Sequence, residues 1–125
     1  MRDIKFRGKH IDNGKWVYGN NIQIQIDGSG RVCICEHANQ RWLDPNTVGQ
    51  FTGMCDKNGK EIFDGDILNT EKYQIVEVIF DNGAFMTRYF LNNGMEHRIM
   101  FWDLGAMEVI GNIHDNPELM KGSGA

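Results

Sequence analysis

The sequence predicts an all-β protein. It has an N-terminal β-hairpin region, a C-terminal SH3-like small β-barrel, and one short helical turn near the end. Three observations carry this. Asn-Gly recurs four times, at Asn13-Gly14, Asn58-Gly59, Asn82-Gly83 and Asn93-Gly94, and suits tight hairpin turns because both residues tolerate positive φ. The segments around these pairs alternate apolar and polar side chains, the period of a half-buried strand. Fifteen glycines stand against two prolines in 125 residues, so the chain is rich in turns.

The elements follow in order. Asp3-Ile4-Lys5-Phe6-Arg7 alternates, turns near Asn13-Gly14, and returns as Lys15-Trp16-Val17-Tyr18. Ile22, Ile24 and Ile26 alternate with Gln23 and Gln25, and Asp27-Gly28-Ser29-Gly30 turns that strand into Arg31-Val32-Cys33-Ile34-Cys35. Periodicity fails between His37 and Gln50. Asp44-Pro45-Asn46-Thr47 in that stretch is a turn or a single helical turn, since proline suits a first helical position. This connection divides a region 1–46 from a barrel 47–120.

The second part opens on Val48-Gly49-Gln50-Phe51-Thr52-Gly53 and turns through Asp56-Lys57-Asn58-Gly59-Lys60. Glu61 to Leu68 follows, with a Gly-Asp entry to a strand. Tyr73 to Phe80 pairs across Asn82-Gly83 with Ala84 to Tyr89, and Ile99 to Trp102 and Met107 to Ile110 are further short strands. Short strands at this spacing suggest a small barrel. Asn116-Pro117 opens the helical turn. Residues 121–125 are expected to be a flexible tail or cloning scar.

Bulk composition narrows the class of function. Hydrophobic residues make up 41% and charged residues 24%, enough to bury a core. A formal net charge of −4 argues against nucleic acid as a partner, because phosphate neutralisation needs a positive surface. Three cysteines and a charged N-terminus without an apolar leader suggest reduced thiols and a cytoplasmic location. No apolar run approaches the ~18 residues of a membrane span, so no membrane partner is expected.

Gln50-Phe51-Thr52-Gly53, Asp56-Lys57-Asn58-Gly59-Lys60-Glu61-Ile62 and Asp64-Gly65-Asp66-Ile67 resemble the signature of the YopX family. The opening Arg2-Asp3-Ile4-Lys5-Phe6-Arg7 is similar to that family's start. Glu108-Val109-Ile110-Gly111-Asn112-Ile113 with Asn116-Pro117-Glu118-Leu119 is similar to its end. The resemblance implies a phage or prophage accessory protein, mostly β, with a small barrel in its second half. It supplies no catalytic residues.

Four groups of residues have side chains suited to chemistry. Cys33, Cys35 and His37 share one strand face, with Cys55 as a fourth candidate ligand, but their backbone spacing of about 6.6 Å is wide for zinc and two buried thiols explain them better. Asp64-Gly65-Asp66 with Glu61 offers a minimal magnesium set, against which stands ordinary turn chemistry of aspartate. His10, His37, His97 and His114 show no nucleophile pairing in sequence. Arg88, Tyr89, Arg98 and Trp102 mix guanidiniums with aromatics, which can hold phosphates and stack bases. Arg98, Met100 and Trp102 alternate onto one face.

The expected function is therefore a non-enzymatic binding module in the host cytoplasm. It sequesters a small nucleotide-like ligand through Arg88, Tyr89, Arg98 and Trp102, or inhibits a host protein, as in counter-defence. The alternative is a phosphate-directed, metal-dependent enzyme using Asp64 and Asp66. A nucleic-acid-binding barrel ranks below both. No cofactor, resident metal or catalytic residue is expected. Open strand edges call for a homo-oligomer.

Overall fold

The computed structural model describes residues 4–25, 27–36, 39–70, 75–90, 95–100 and 107–121. Among the described residues the chain is all-β apart from one 3-10 turn and one short α-helix, and the strands pair antiparallel. It divides into two compact units, Met1–Phe51 and Thr52–Ala125.

In the first unit, β1 (Phe6–Lys9) pairs with β2 (Trp16–Gly19) in the register Phe6↔Gly19 to Lys9↔Trp16. A second sheet has the order β3 (Ile22–Ile24), β4 (Val32–Glu36), β5 (Asn39–Leu43). The alternation of β4 puts Val32 and Ile34 on one face, and these cluster with Val17 and Leu43, with Phe6, Ile22 and Val48 around them. Residues that alternate in sequence thus become one apolar layer between strands of the same unit.

β5 corrects the expectation of an irregular connection between His37 and Gln50. It pairs with β4 along its whole length, Val32↔Leu43 to Glu36↔Asn39. Asn39, Gln40 and Arg41 are all exposed, so this edge strand carries no alternation to find. The turn after it is as expected. Pro45–Thr47 forms a 3-10 turn capped by Asp44, whose carboxylate accepts from the Asn46 N–H. Thr47 Oγ1 donates to the Asp44 carbonyl and accepts from the Lys9 N–H at 2.8 Å, tying the turn to β1.

β6 (Gly49–Cys55) begins beside β1, with Phe6↔Gln50 and Arg7↔Gly49 in register. Beyond Phe51 it belongs to the second unit, where it neighbours β7 (Glu61–Phe63). The second unit's other sheet has the order β11-β10-β9-β8-β12. These strands are β8 (Asp66–Asn69), β9 (Val76–Asp81), β10 (Ala84–Phe90), β11 (Glu96–Met100) and β12 (Glu108–Asn112). Successive antiparallel pairings make the meander β8 to β11, and β12 returns to pair with β8 through a register shift between Val109 and Gly111. Among the described residues no pairing joins β11 to β12. Ile62, Leu68, Val76 and Val78 form the core, with Tyr89, Met107 and Val109 against it.

Of the described Asn-Gly pairs only Asn82-Gly83 has both residues at positive φ, 51° and 81°, as a two-residue type I′ hairpin requires. At Gly14 and Gly59 the glycine alone is left-handed. Those loops are longer and are closed by side chains instead: Asn13 Oδ1 accepts from the Lys15 N–H, and Asp56 Oδ1 accepts from the N–H groups of Asn58 and Lys60. Asn93-Gly94 lies outside the described residues. The expected helical turn is α1 (Glu118–Lys121). Asn116 does not turn its side chain into α1: its Oδ1 accepts from the Asn112 N–H. Of the expected tail, Lys121 ends α1, and residues 122–125 lie outside the described residues.

Candidate functional site

The arginines singled out in the sequence face each other. Arg88 on β10 and Arg98 on β11 are cross-strand partners, so both guanidiniums leave the same face of the sheet. Tyr89 points the opposite way and packs against the core cluster of Ile62, Leu68, Val76 and Val78. Trp102 lies outside the described residues, as do His37 and the side chain of His97. The structure therefore brings together Arg88 and Arg98 and separates Tyr89 from them.

Carboxylates meet both guanidiniums. Arg88 Nε and Nη2 reach the two oxygens of Glu77 at 3.2 and 3.4 Å, a bidentate fork, and its Nη1 reaches Glu96 at 3.3 Å. Arg98 donates to Glu96 and to Asp81. The hydrogen bond from Arg98, with the charges of Arg98 and Arg88, holds the Glu96 carboxyl below its usual range. Glu77 is buried while Arg98 is exposed, so the two arginines differ in weight. Arg88→Ala is expected to destabilise by about 3 kcal/mol, because it strips a buried carboxylate of its fork. Arg98→Ala is expected to cost under about 1 kcal/mol, the scale of an exposed pair. Urea unfolding of both variants checks this ranking.

Of the aspartates of the alternative reading, Asp64 lies in a turn and Asp66 opens β8. Asp66 is 1% exposed, and its Oδ2 accepts from the Phe63 N–H at 2.8 Å. Gly65 between the two sits at φ 95° and exchanges backbone bonds with Val78 and Ile113. Among the described residues no three histidine, cysteine or acidic side chains form a set able to hold a metal ion.

A second cationic and aromatic face lies in the first unit. Lys5, Arg7 and Lys9 fall two apart along β1 and so share a side of the sheet. Register places Trp16 opposite Lys9 and Tyr18 opposite Arg7. The Arg7 guanidinium stacks 4.6 Å from the Trp16 ring centre, with Lys9 Nζ at 5.6 Å from the same ring. Lys5 Nζ lies 5.7 Å from the Phe51 ring. At the end of this face Ile4, Lys5, Tyr18, Gly19 and Asn20 line a depression of about 470 Å³. Tyr18 is 50% exposed there, and Gly19 is a tight fit: a Cβ at that position would lie 2.6 Å from Ile34 Cγ2. The signal for this site was in the sequence, as Lys5, Arg7 and Lys9 recur with period two. Only the β1–β2 register reveals that aromatics stand opposite them.

The sequence matches the family described as YopX protein over residues 5–121. The chain belongs to the YopX family. It is also similar to the crystal structure of protein EF1440 from Enterococcus faecalis, at 25% sequence identity and a TM-score of 0.59. That match covers 97% of this chain and 100% of the other. No match is found among curated proteins. The YopX match spans the blocks at Gln50–Gly53, Asp56–Ile62 and Asp64–Ile67. In those blocks the Asp56 and Asp66 carboxylates accept from nearby backbone N–H groups and Gly65 takes a positive φ, so each has a backbone role.

Proposed function

We propose that this YopX-family chain is a non-enzymatic binding module that takes a small, anionic, nucleotide-like ligand in the Lys5–Tyr18 depression. One observation carries the proposal. An exposed tyrosine and a lysine line a concavity within the roughly 300–1,000 Å³ typical of small-ligand sites, at the end of a strand bearing two more cations. The Tyr18 ring offers a stacking face for a base, the Lys5 ammonium a partner for phosphate, and the Asn20 amide both a donor and an acceptor. The paired arginines Arg88 and Arg98 are the second candidate surface, favoured by their direct cross-strand register. A phosphate there would have to compete with Glu96 and Asp81.

The setting we propose is the cytoplasm of a bacterial host, with the gene carried by a phage or prophage and the ligand sequestered stoichiometrically. A homo-oligomer is part of the proposal. What supports it is β3, an edge strand with Ile24 67% exposed. An SH3-like plan for the second unit is supported by the meander β8 to β11 and the return of β12 to β8.

The test is to purify the protein from host cells, denature it, and scan the released fraction by absorbance and mass spectrometry. A nucleotide is expected in the release from the natural chain. Lys5→Ala and Tyr18→Ala should carry at least about tenfold less, the loss of one charged or stacking contact. A host protein at fixed stoichiometry in place of a nucleotide would overturn the small-ligand proposal. Turnover of a phosphodiester that disappears with Asp64→Asn would put the enzyme first.

A further inference from the structure

β4 carries a pair of thiols that the proposed ligand site leaves unused. Cys33 and Cys35 are two residues apart and share a face, where strand backbone alone separates positions by about 6.6 Å. Their side chains close most of that gap, and the two sulfurs stand 3.4 Å apart. β4 is the central strand of its sheet, held in ladders to β3 and β5. Cys33 is fully buried and Cys35 is half-buried, so one sulfur faces an approaching ion and the other backs it. Gln23 and Trp42 stand opposite Cys33, and Gln40 stands opposite Cys35. None of these three neighbours is a charged group that would compete for the thiols. Burial, with the contact to Cys35, pushes the Cys33 thiol up, so Cys33 rests as an S–H beside the Cys35 sulfur.

Two outcomes are chemically open to such a pair. A disulfide needs a Cα separation of at most about 6.8 Å, so this strand spacing sits at the limit and closure would contract a central strand. An ion bridging two sulfurs demands less movement. With bonds of about 2.3 Å in a tetrahedral arrangement the sulfurs lie about 3.8 Å apart, a few tenths of an ångström from where they stand. Soft thiolates prefer soft cations, and two sulfurs at this separation grip one ion together.

We propose that Cys33 and Cys35 form a bidentate dithiol site for a soft, thiophilic cation. Each thiol releases one proton to solvent as its sulfur bonds the ion, so two S–H bonds break and two metal–sulfur bonds form. Sulfur and metal keep their oxidation states, and no oxidant is needed. Entry is past Cys35, with Cys33 engaged second.

The experiment uses the full chain in a Cys55→Ser background, which removes the exposed third thiol. Cadmium(II) is titrated anaerobically with a phosphine reductant and followed by the thiolate-to-metal charge-transfer band, native mass spectrometry and proton release. One cadmium per chain with two protons released is expected. Phenylarsine oxide, which requires two neighbouring thiols, should add once. Cys35→Ser spares the buried Cys33 and should weaken cadmium by at least about tenfold, the loss of the second donor's effective concentration, with an unchanged circular dichroism spectrum. Absence of the charge-transfer band overturns the proposal. So does equal uptake of cadmium or of the arsenical by the Cys35→Ser protein, which would mark adventitious surface binding only.

Discussion

Asp56→Ala is expected to destabilise the second unit by about 3–5 kcal/mol, the scale for removing a buried charge that satisfies several donors. Asp56 is 6% exposed and sits where β6 ends. Its Oδ1 accepts from the N–H groups of Asn58 and Lys60, both at 2.9 Å, and its Oδ2 accepts from the Val109 N–H at 2.9 Å on β12. One carboxylate therefore closes the Asp56–Lys60 turn and docks it 53 residues away. Lys57 reinforces the same junction through its N–H to the Met107 carbonyl and its ammonium to Glu108. Alanine leaves three N–H groups to find other partners. Burial alone would raise this carboxyl, but the bonds from Val109, Lys60 and Asn58 and the Lys60 charge outweigh it and hold it below the usual range. The sign for stability follows. A group whose folded value is depressed contributes fully above its ordinary value of about 4, and loses that contribution as pH falls through the folded value. Asp56→Asn, which cannot ionise, should therefore differ from the natural chain most at pH 7 and least in strong acid. Urea unfolding at both extremes measures the difference, and a constant gap across pH would show that the carboxylate's charge is not what matters.

Leu43→Ala should cost the first unit about 3–5 kcal/mol, the range for truncating a buried leucine where the surroundings cannot collapse. Leu43 is 2% exposed and clusters with Val17, Val32 and Ile34. It also fills the space over Gly8: a Cβ built on Gly8 would lie 2.7 Å from Leu43 Cδ1. The pair is a large residue fitted to a missing one. Gly8→Ala alone should thus be destabilising by about 1–3 kcal/mol through overpacking. In the Leu43→Ala background the same change should cost less, or stabilise, because the methyl then enters the vacated space. A double-mutant cycle reads this as a coupling energy, and strict additivity would contradict the fit.

Much of the fold was legible because short-range chemistry decided it. Alternation in Ile22-Gln23-Ile24 and in Val32 to Cys35, and the turn at Asn82-Gly83, specify strands and a hairpin without tertiary help. β5 was not legible, since a polar edge strand is chosen by the open edge of β4 rather than by its own pattern. Asn13 and Asn58 do not take positive φ, because side chains close those loops in another way, Asn13's own at the first and Asp56's at the second. The site was less legible still. Arg88 and Arg98 were found, but their carboxylate partners come from β9 and β11 by register, which sequence does not print. Tyr89 was grouped with them although adjacent strand residues face opposite ways. Cys33 and Cys35 looked too far apart because spacing was counted along the backbone, while side-chain rotation brings the sulfurs together.

The depression at Ile4, Lys5, Tyr18, Gly19 and Asn20 is the proposed seat of a nucleotide-like ligand. Amide chemical-shift mapping of the isotope-labelled full chain, titrated with nucleoside mono-, di- and triphosphates and cyclic dinucleotides, addresses it directly. The proposal predicts saturable shifts centred on the amides of Lys5, Tyr18, Gly19 and Asn20 for at least one of these ligands, lost in Tyr18→Ala. Shifts confined to Arg88 and Arg98 and their strands, or no saturable shift with any of them, would contradict it.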